Sequence, residues 1–495
     1  MAARRDAETL PEAELNRLLR RVDWRFLLRG EGAPSVADMT AGRTSLAIHL
    51  IAADGEPLPG DADLATIGYP TRLALRGAIE SLRPGGEVVA LWRLPRPAAA
   101  RRAAARMRAA GLEDVRVLWP GPRLFGEPEF WLALDDAMAT GVLLERRPPS
   151  SAIQAMLRPV WRVAARAGLL SPLCAIGRTP GGEGGIRAFD SALLLTGGKR
   201  SINKVVGLRL DDAGEASAVV KFARVAAADE ALAREAEALR AIEAERPGLP
   251  GVPRILEEGT RVGRRALAES AVEGEPLIAQ LTAESFERLA RTVTDWLVEL
   301  ARGGEAQAPD GWWDRLVGAR LRTFERDFAQ VLPADLPKRL DQSLSALGPL
   351  PLVPEHRDCS PWNVVLDESG APGLHDWESA EPRGLPGLDL AYFLANCAFV
   401  LDGALDSGRT RESYERLRDP STPHGRVAAE CEDRYRQTLG LGPGDLPRLR
   451  LLAWLVHTAS DYNHLTMESH GTPSPNALRA STYLGLLRAE VATHP

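Results

Sequence analysis

The chain has 495 residues, of which 45% are hydrophobic and 26% charged, enough to bury the cores of two or three domains. Lys and Arg total 61 against 67 Asp and Glu, a formal net charge of -6, which gives no support to a nucleic-acid binder. Cys174, Cys359, Cys397 and Cys431 form no CxxC pair, so neither disulfides nor a structural zinc site is predicted. The N-terminal stretch MAARRDAETLPEAELNRLLRR lacks the apolar centre of a secretory signal, and no run reaches the roughly 20 apolar residues of a membrane span. These exclusions predict a cytoplasmic protein.

Residues 1–145 read as a first domain. RLALRGAIESLRPGGEVVALWRL has helical spacing up to Leu82, a Pro-Gly-Gly break, then a strand over Glu87–Trp92. Ala98–Ala110 follows as an Ala-rich helix whose arginines form its solvated face. DVRVLWP (Asp114–Pro120) and EFWLALD (Glu129–Asp135) read as strands, giving an α/β pattern. Over residues 60–140 this order resembles the C-terminal half of class I S-adenosylmethionine-dependent methyltransferases. In that family the methyl donor sits on a first strand and its glycine-rich turn, and no GxGxG follows a strand in residues 1–70. The resemblance therefore implies a truncated, non-catalytic domain with a structural or protein-docking role.

Residues 146–190 read as a linker. The Pro- and Gly-rich ERRPPS and GRTPGGEGGIRA flank SAIQAMLRPVWRVAARAGLL, an amphipathic helix expected to pack on a neighbouring domain. From Ser191 the pattern changes. SALLLTGG, INKVVGLRL and SAVVKFARV predict three strands, and ADEALAREAEALRAIEAE a helix with Leu232, Ala236, Leu239 and Ile242 along one face. GVPRILEEGT and RRALAESAV add two strands. Beyond Gly274 helical pattern prevails, interrupted by VPEHRDCSPWNVVLDESGAPGLHDWESA.

Several chemistry-bearing residues fall in a fixed order. Gly197 and Gly198 sit at a hairpin tip, Lys221 in an apolar strand, and Glu235 on the following helix with Glu237 as the alternative. His356, Asp358 and Asn363 form HxDxxxxN, and Asp376 follows thirteen residues after Asn363. Taken singly these are a turn, a surface lysine, a solvated glutamate and a set of polar loops. Two carboxylates and an asparagine are too oxygen-rich for zinc.

Together, the order resembles the aminoglycoside phosphotransferase and choline kinase-like branch of the protein-kinase-like fold, over residues 190–495. HRDCSPWNVVL followed by HDWE carries the most specific match; Arg357 stands where that branch usually has Gly. The resemblance implies an α+β bilobal protein-kinase-like fold, with a β-rich N-lobe over 191–275 and a helical C-lobe over 276–495. Added to it is the N-terminal methyltransferase-like α/β domain.

The resemblance also implies ATP as donor, with GTP as the alternative, and Mg2+ on Asp376 and Asn363. Asp358 would accept or orient the attacking hydroxyl of a small molecule or glycan, and His356 would brace the loop. Lys221 would reach phosphates and pair with Glu235, and Gly197 and Gly198 would let backbone amides approach them. Ala268–Gly274 would be the adenine hinge. Glu378 reads as a carboxylate beside metal or substrate, or as a solvated one. Asp389 reads as a hydrogen-bonding support for the catalytic loop, or as a helix N-cap. Trp454, Tyr462, Asn463 and His464 are candidates for the substrate side of the helical lobe. The rival reading is a catalytically weak kinase-like scaffold.

Overall fold

The computed structural model describes residues 10–92, 98–121, 127–135, 137–143, 152–166, 169–170, 173–181, 190–198, 200–302, 310–469 and 471–493. The chain divides into two units, Met1–Ala233 with Ile255–Ala271, and Arg234–Arg254 with Val272–Pro495.

The first unit is built on one sheet. Its strands are β1 (Val36–Asp38), β2 (Ala62–Ile67), β3 (Leu82–Trp92), β4 (Glu113–Gly121), β5 (Phe130–Ala133), β6 (Leu173–Arg178), β7 (Leu193–Leu195), β8 (Val205–Leu210), β9 (Ala216–Phe222), β10 (Ile255–Arg261) and β11 (Arg264–Ser270). They hydrogen-bond in the order β1-β2-β3-β6-β4-β5-β7-β8-β9-β11-β10. β1, β2 and β3 run parallel. β6 enters antiparallel between β3 and β4, and every later pairing is antiparallel. The sheet thus runs without a break across both boundaries that the sequence suggests, at 145 and 190. The supposed linker supplies β6, whose short LCAIGR run is too brief to stand out by periodicity. Within it α5 (Ala152–Arg166) is the expected helix. ERRPPS and most of GRTPGGEGGIRA lie outside the described residues.

Alternation decides where the core sits. Successive strand side chains point to opposite faces. Val88 and Ala90 of β3, Val117 and Trp119 of β4, and Leu173 and Ala175 of β6 join one buried cluster. On that side pack α3 (Arg72–Ser81) and α4 (Ala99–Ala109), through Leu75, Ala78, Ala103 and Met107. The residues between, Val89, Leu118, Cys174 and Ile176, join a second cluster on the other face. Both faces are covered, so the strands read as nearly continuous apolar runs. The second cluster is closed by α1 (Glu12–Arg21), the 3-10 turn Asp23–Leu27 and α2 (Arg43–His49). It continues along the sheet to Val205, Val220, Phe222, Ala266 and Ala268.

The helix α6 (Ala226–Glu245) leads into the second unit. There the helices include α7 (Phe286–Ala301), α8 (Leu388–Leu401), α9 (Asp445–Ser469) and α10 (Thr482–Thr493). The α8 sequence LDLAYFLANCAFVL is buried all round from Leu388 to Phe399, which makes it the central helix. Against the helices stand two small sheets. One is β12 (Glu275–Pro276), β14 (Val364–Leu366) and β15 (Pro372–Leu374); the other is β13 (Val353–Glu355) with β16 (Glu381–Gly384). Gly251 anchors β15: its carbonyl accepts the Leu374 amide at 2.8 Å, and a Cβ there would lie 2.2 Å from the Pro372 carbonyl oxygen. No described helix is long and apolar enough to cross a membrane.

Candidate active site

In the second unit, one short hairpin gathers the polar residues of HxDxxxxN and HDWE. Val364 pairs with Leu374 across β14 and β15, and the Asn363 carbonyl accepts the His375 amide at 3.3 Å. Residues 363 and 376 are therefore brought to one end of the hairpin although thirteen positions apart. The connecting turn holds its shape through Asp367, whose carboxylate accepts the amides of Ser369 and Ala371. At that end Asn363 Nδ2 donates to the Asp358 carbonyl at 2.9 Å and to Asp358 Oδ2 at 2.8 Å. Both hydrogen bonds come from the amide nitrogen, which leaves Asn363 Oδ1 as the atom available to a cation.

His356 is fully buried and edge-on to the Trp377 ring, 4.7 Å between centroids. Its Nδ1 accepts the Asp358 amide at 3.2 Å, so Nε2 carries the proton and donates to the His375 carbonyl at 3.0 Å. Burial lowers its pKa to about 4, which keeps the ring neutral. The imidazole thus joins the loop to the hairpin. Asp389 lies near the start of α8, but the N-cap is Gly387 and no side chain caps the helix. Its two carboxylate oxygens instead accept the His356 amide at 2.7 Å and the Arg357 amide at 2.8 Å. Burial and the Glu355 carboxylate push Asp389 up to about 7, against those two amides and Arg357.

Asp376 has φ 74 and opens a 3-10 turn over Trp377–Ser379. The chain turns at Asp376, so Glu378 is placed by that turn and not by strand alternation. Trp377 is fully buried; its indole donates to the Leu374 carbonyl at 2.8 Å, and its amide donates to Glu235 Oε1 at 2.8 Å. Glu235, fully buried, is therefore the inward-facing acid of the helical pair, and it holds the residue after Asp376.

Asp358 is pushed up to about 7, first by burial and then by the nearby Asp376 charge, with Glu378 adding to both. Hydrogen bonds from Asn363 and Tyr392 oppose the shift. Tyr392 was not foreseen from the sequence. Its ring stacks on His457 at 3.9 Å and its hydroxyl meets that of Tyr483 at 3.1 Å. The sequence signal was weak, since DLAYFL reads only as the start of a buried helix. Trp454 is fully buried and donates to the Tyr414 hydroxyl at 3.0 Å, so it belongs to the core. Asn463 and His464 are exposed on α9. Among the described residues, no three His, Cys, Asp or Glu side chains form a metal-holding group.

Residues 199–423 match the model of a family described as "Phosphotransferase enzyme family". No curated protein matches the chain. Among solved structures, an aminoglycoside phosphotransferase from Streptomyces rimosus is similar at 19% identity, over 51% of this chain and 89% of that one, with a TM-score of 0.33. A choline/ethanolamine kinase family protein from Mesorhizobium loti is similar at 16% identity, over 58% and 88%, with a TM-score of 0.31.

The matched segment departs from the expected motif at Arg357, and the backbone shows why a glycine suits that position. Its φ is 63, in the left-handed region that a side chain makes costly. Arg357 Nε donates to Glu355 Oε2 at 2.7 Å, and its guanidinium lies 3.6 Å from Glu381. Glu355 is 2% exposed, and its other oxygen accepts the Leu385 amide. An Arg357→Gly variant would relieve about 1 kcal/mol of backbone strain. It would also leave a buried carboxylate without its partner, a loss of about 3–5 kcal/mol. The expected result is a lower denaturant midpoint; an unchanged or higher midpoint would show that the strain outweighs the ion pair.

The matched segment also includes elements of the first unit. Lys221, 5% exposed on β9, places Nζ 3.0 Å from Glu269 Oε2 on β11. Lys221 lies opposite Leu267, so Glu269 is its diagonal neighbour on the same face. The sequence reading assigned Glu269 only to the hinge Ala268–Gly274; finding its partner needs the β9–β11 register. At the hairpin, a Cβ on Gly198 would fall 2.4 Å from Asn203 Cβ, whereas one on Gly197 would meet only the Glu129 carbonyl oxygen, at 3.9 Å. Gly198 is thus required by the turn itself, in which Asn203 Oδ1 accepts the Arg200 amide at 2.8 Å.

Proposed function

We propose that this chain is an ATP- and Mg2+-dependent O-phosphotransferase that acts on a hydroxyl of a small molecule or glycan. The observation that carries the reading is the double hydrogen bond from Asn363 to Asp358 at the end of the hairpin that also holds Asp376. It sets a carboxylate for the acceptor hydroxyl beside a neutral oxygen and a second carboxylate. Asp376 and Asn363 Oδ1 are the hard oxygen donors that magnesium takes, with phosphate oxygens and water completing the set. When bound, the ion would neutralise charge on the transferring phosphoryl group.

Asp358 would accept or orient the hydroxyl, which suits a loose transition state needing mainly position. His356, Asp389 and Glu235 hold the loop, the turn and the backbone around these groups. Lys221 and the Gly197–Gly198 hairpin are assigned to the phosphates of the donor. Residues 1–145 take a structural role in the same proposal, because their strands continue hydrogen bonding into β7 and β8.

The test is calorimetric titration of ATP, then GTP, with and without magnesium, followed by ADP release with sugars and amino alcohols as acceptors. Magnesium-dependent ATP binding with acceptor-stimulated ADP release is expected. Binding without release for any acceptor would favour the scaffold reading, and no binding of either nucleotide would end the phosphotransferase reading.

A further inference from the structure

The N-terminal segment reaches the glycine hairpin directly. α1 and the turn after it carry Glu12, Asn16, Asp23 and Arg25; the hairpin spans residues 196–203. The Glu12 carboxylate accepts both the amide of Ser201 and, at 2.8 Å, its hydroxyl. Asn16 Nδ2 donates to the Gly198 carbonyl at 3.2 Å. Arg224, three residues beyond Lys221, joins the two. It donates to Asn16 Oδ1 at 3.1 Å, to the Arg200 carbonyl at 3.3 Å and to the Thr196 carbonyl at 3.1 Å. Its charge is met by Asp23 at 3.0 Å, and its own carbonyl accepts from Arg25 Nη2 at 2.9 Å. Asn16, Asp23, Arg25 and Arg224 are all at most 5% exposed. Beside them Phe26 stacks on Phe222, ring centroids 4.8 Å apart.

The carbonyls of Thr196, Gly198 and Arg200 are thus each held by a buried side chain. A turn bonded only through its strands could move its backbone amides at little cost. Here movement would break hydrogen bonds to a charged, buried group, which are among the costlier ones to lose. The described residues of the hairpin are therefore held at these three carbonyls by the protein itself, and a site so arranged loses less freedom on binding.

We infer that residues 12–25 position the Gly197–Asn203 hairpin for the donor's phosphates, with Asn16 and Glu12 as positioning residues. The inference rests on the phosphotransferase reading and extends it: the N-terminal segment is a working part of the nucleotide site. It accounts for the segment's burial against β8, β9 and β11, which an appended docking domain does not require.

The test uses full-length protein and two substitutions that keep net charge, Asn16→Ala and Ser201→Ala. Mg·ATP is titrated calorimetrically well below the unfolding transition, and affinity is read separately from stoichiometry. Asn16→Ala loses two hydrogen bonds of the hairpin network, so its dissociation constant is expected to rise about tenfold at unchanged stoichiometry. Ser201→Ala loses one and is expected to show about a threefold rise. A purely structural role would lower the stoichiometry or the melting point and leave the affinity of the folded fraction as in the parent, and that result overturns the inference. Parental affinity in both variants overturns it as well. If Asn16→Ala does not fold, Ser201→Ala decides alone. Absence of Mg·ATP binding in the parent would instead remove the reading underneath, and the inference with it.

Discussion

Asp358→Asn is expected to lower turnover by about two to four orders of magnitude while Mg·ATP affinity stays within about twofold of the parent. The substitution is close to isosteric, and its surroundings can accept it. Asp358 takes hydrogen bonds from Asn363 Nδ2 and from the Tyr392 hydroxyl. An asparagine carbonyl can still receive one or both, so the loop keeps its anchor through His356 and Asp389. What disappears is the group that takes or orients the acceptor's proton. The loss should therefore fall on the rate and leave the donor's binding alone. Initial rates of ADP release at saturating acceptor, beside a calorimetric Mg·ATP titration, separate the two. Turnover within tenfold of the parent would show that Asp358 is not the group facing the acceptor.

How much of this could be read from the sequence depends on the range of the interactions. Several strands and helices of the first unit were legible because each carries its own period: α4 by Ala and Met on one face, β4 and β5 by short aromatic and aliphatic runs; α1, α2, β1 and β2 were not read from the sequence. The motif HxDxxxxN was legible because its spacing is local. What stayed hidden depends on pairing between distant segments. β6 is six residues in a Pro- and Gly-rich stretch, and only its place between β3 and β4 makes it a strand. Lys221 and Glu269 meet through a register that neither segment reveals alone. The continuation of the N-terminal strands into β7 and β8 stayed hidden for the same reason. Asp23 and Arg224 are 201 positions apart, and nothing local in either marks a buried pair. Arg357 shows the converse. The sequence flagged it as a departure from a family habit, and the backbone angle supplies the cause, a left-handed residue held by two carboxylates.

Asp376→Asn is expected to remove the magnesium-dependent part of ATP binding and to cut turnover by about three orders of magnitude or more. The backbone makes this a clean substitution. Asp376 sits at φ 74, a region that asparagine enters more readily than most residues, so the turn into Trp377 should persist. Trp377 itself is fixed by its indole bond to Leu374 and its amide bond to Glu235, neither of which involves the Asp376 side chain. Fold and turn are thus kept while one negative charge leaves the metal's donor set. Asn363 and water alone are weak ligands for a hard, strongly hydrated cation. In the absence of magnesium, parent and variant should bind ATP alike; in its presence only the parent should gain affinity. Equal gains in both would place the cation elsewhere, and a variant weakened equally with and without magnesium would mean that Asp376 acts on the site through its fold and not as a metal ligand.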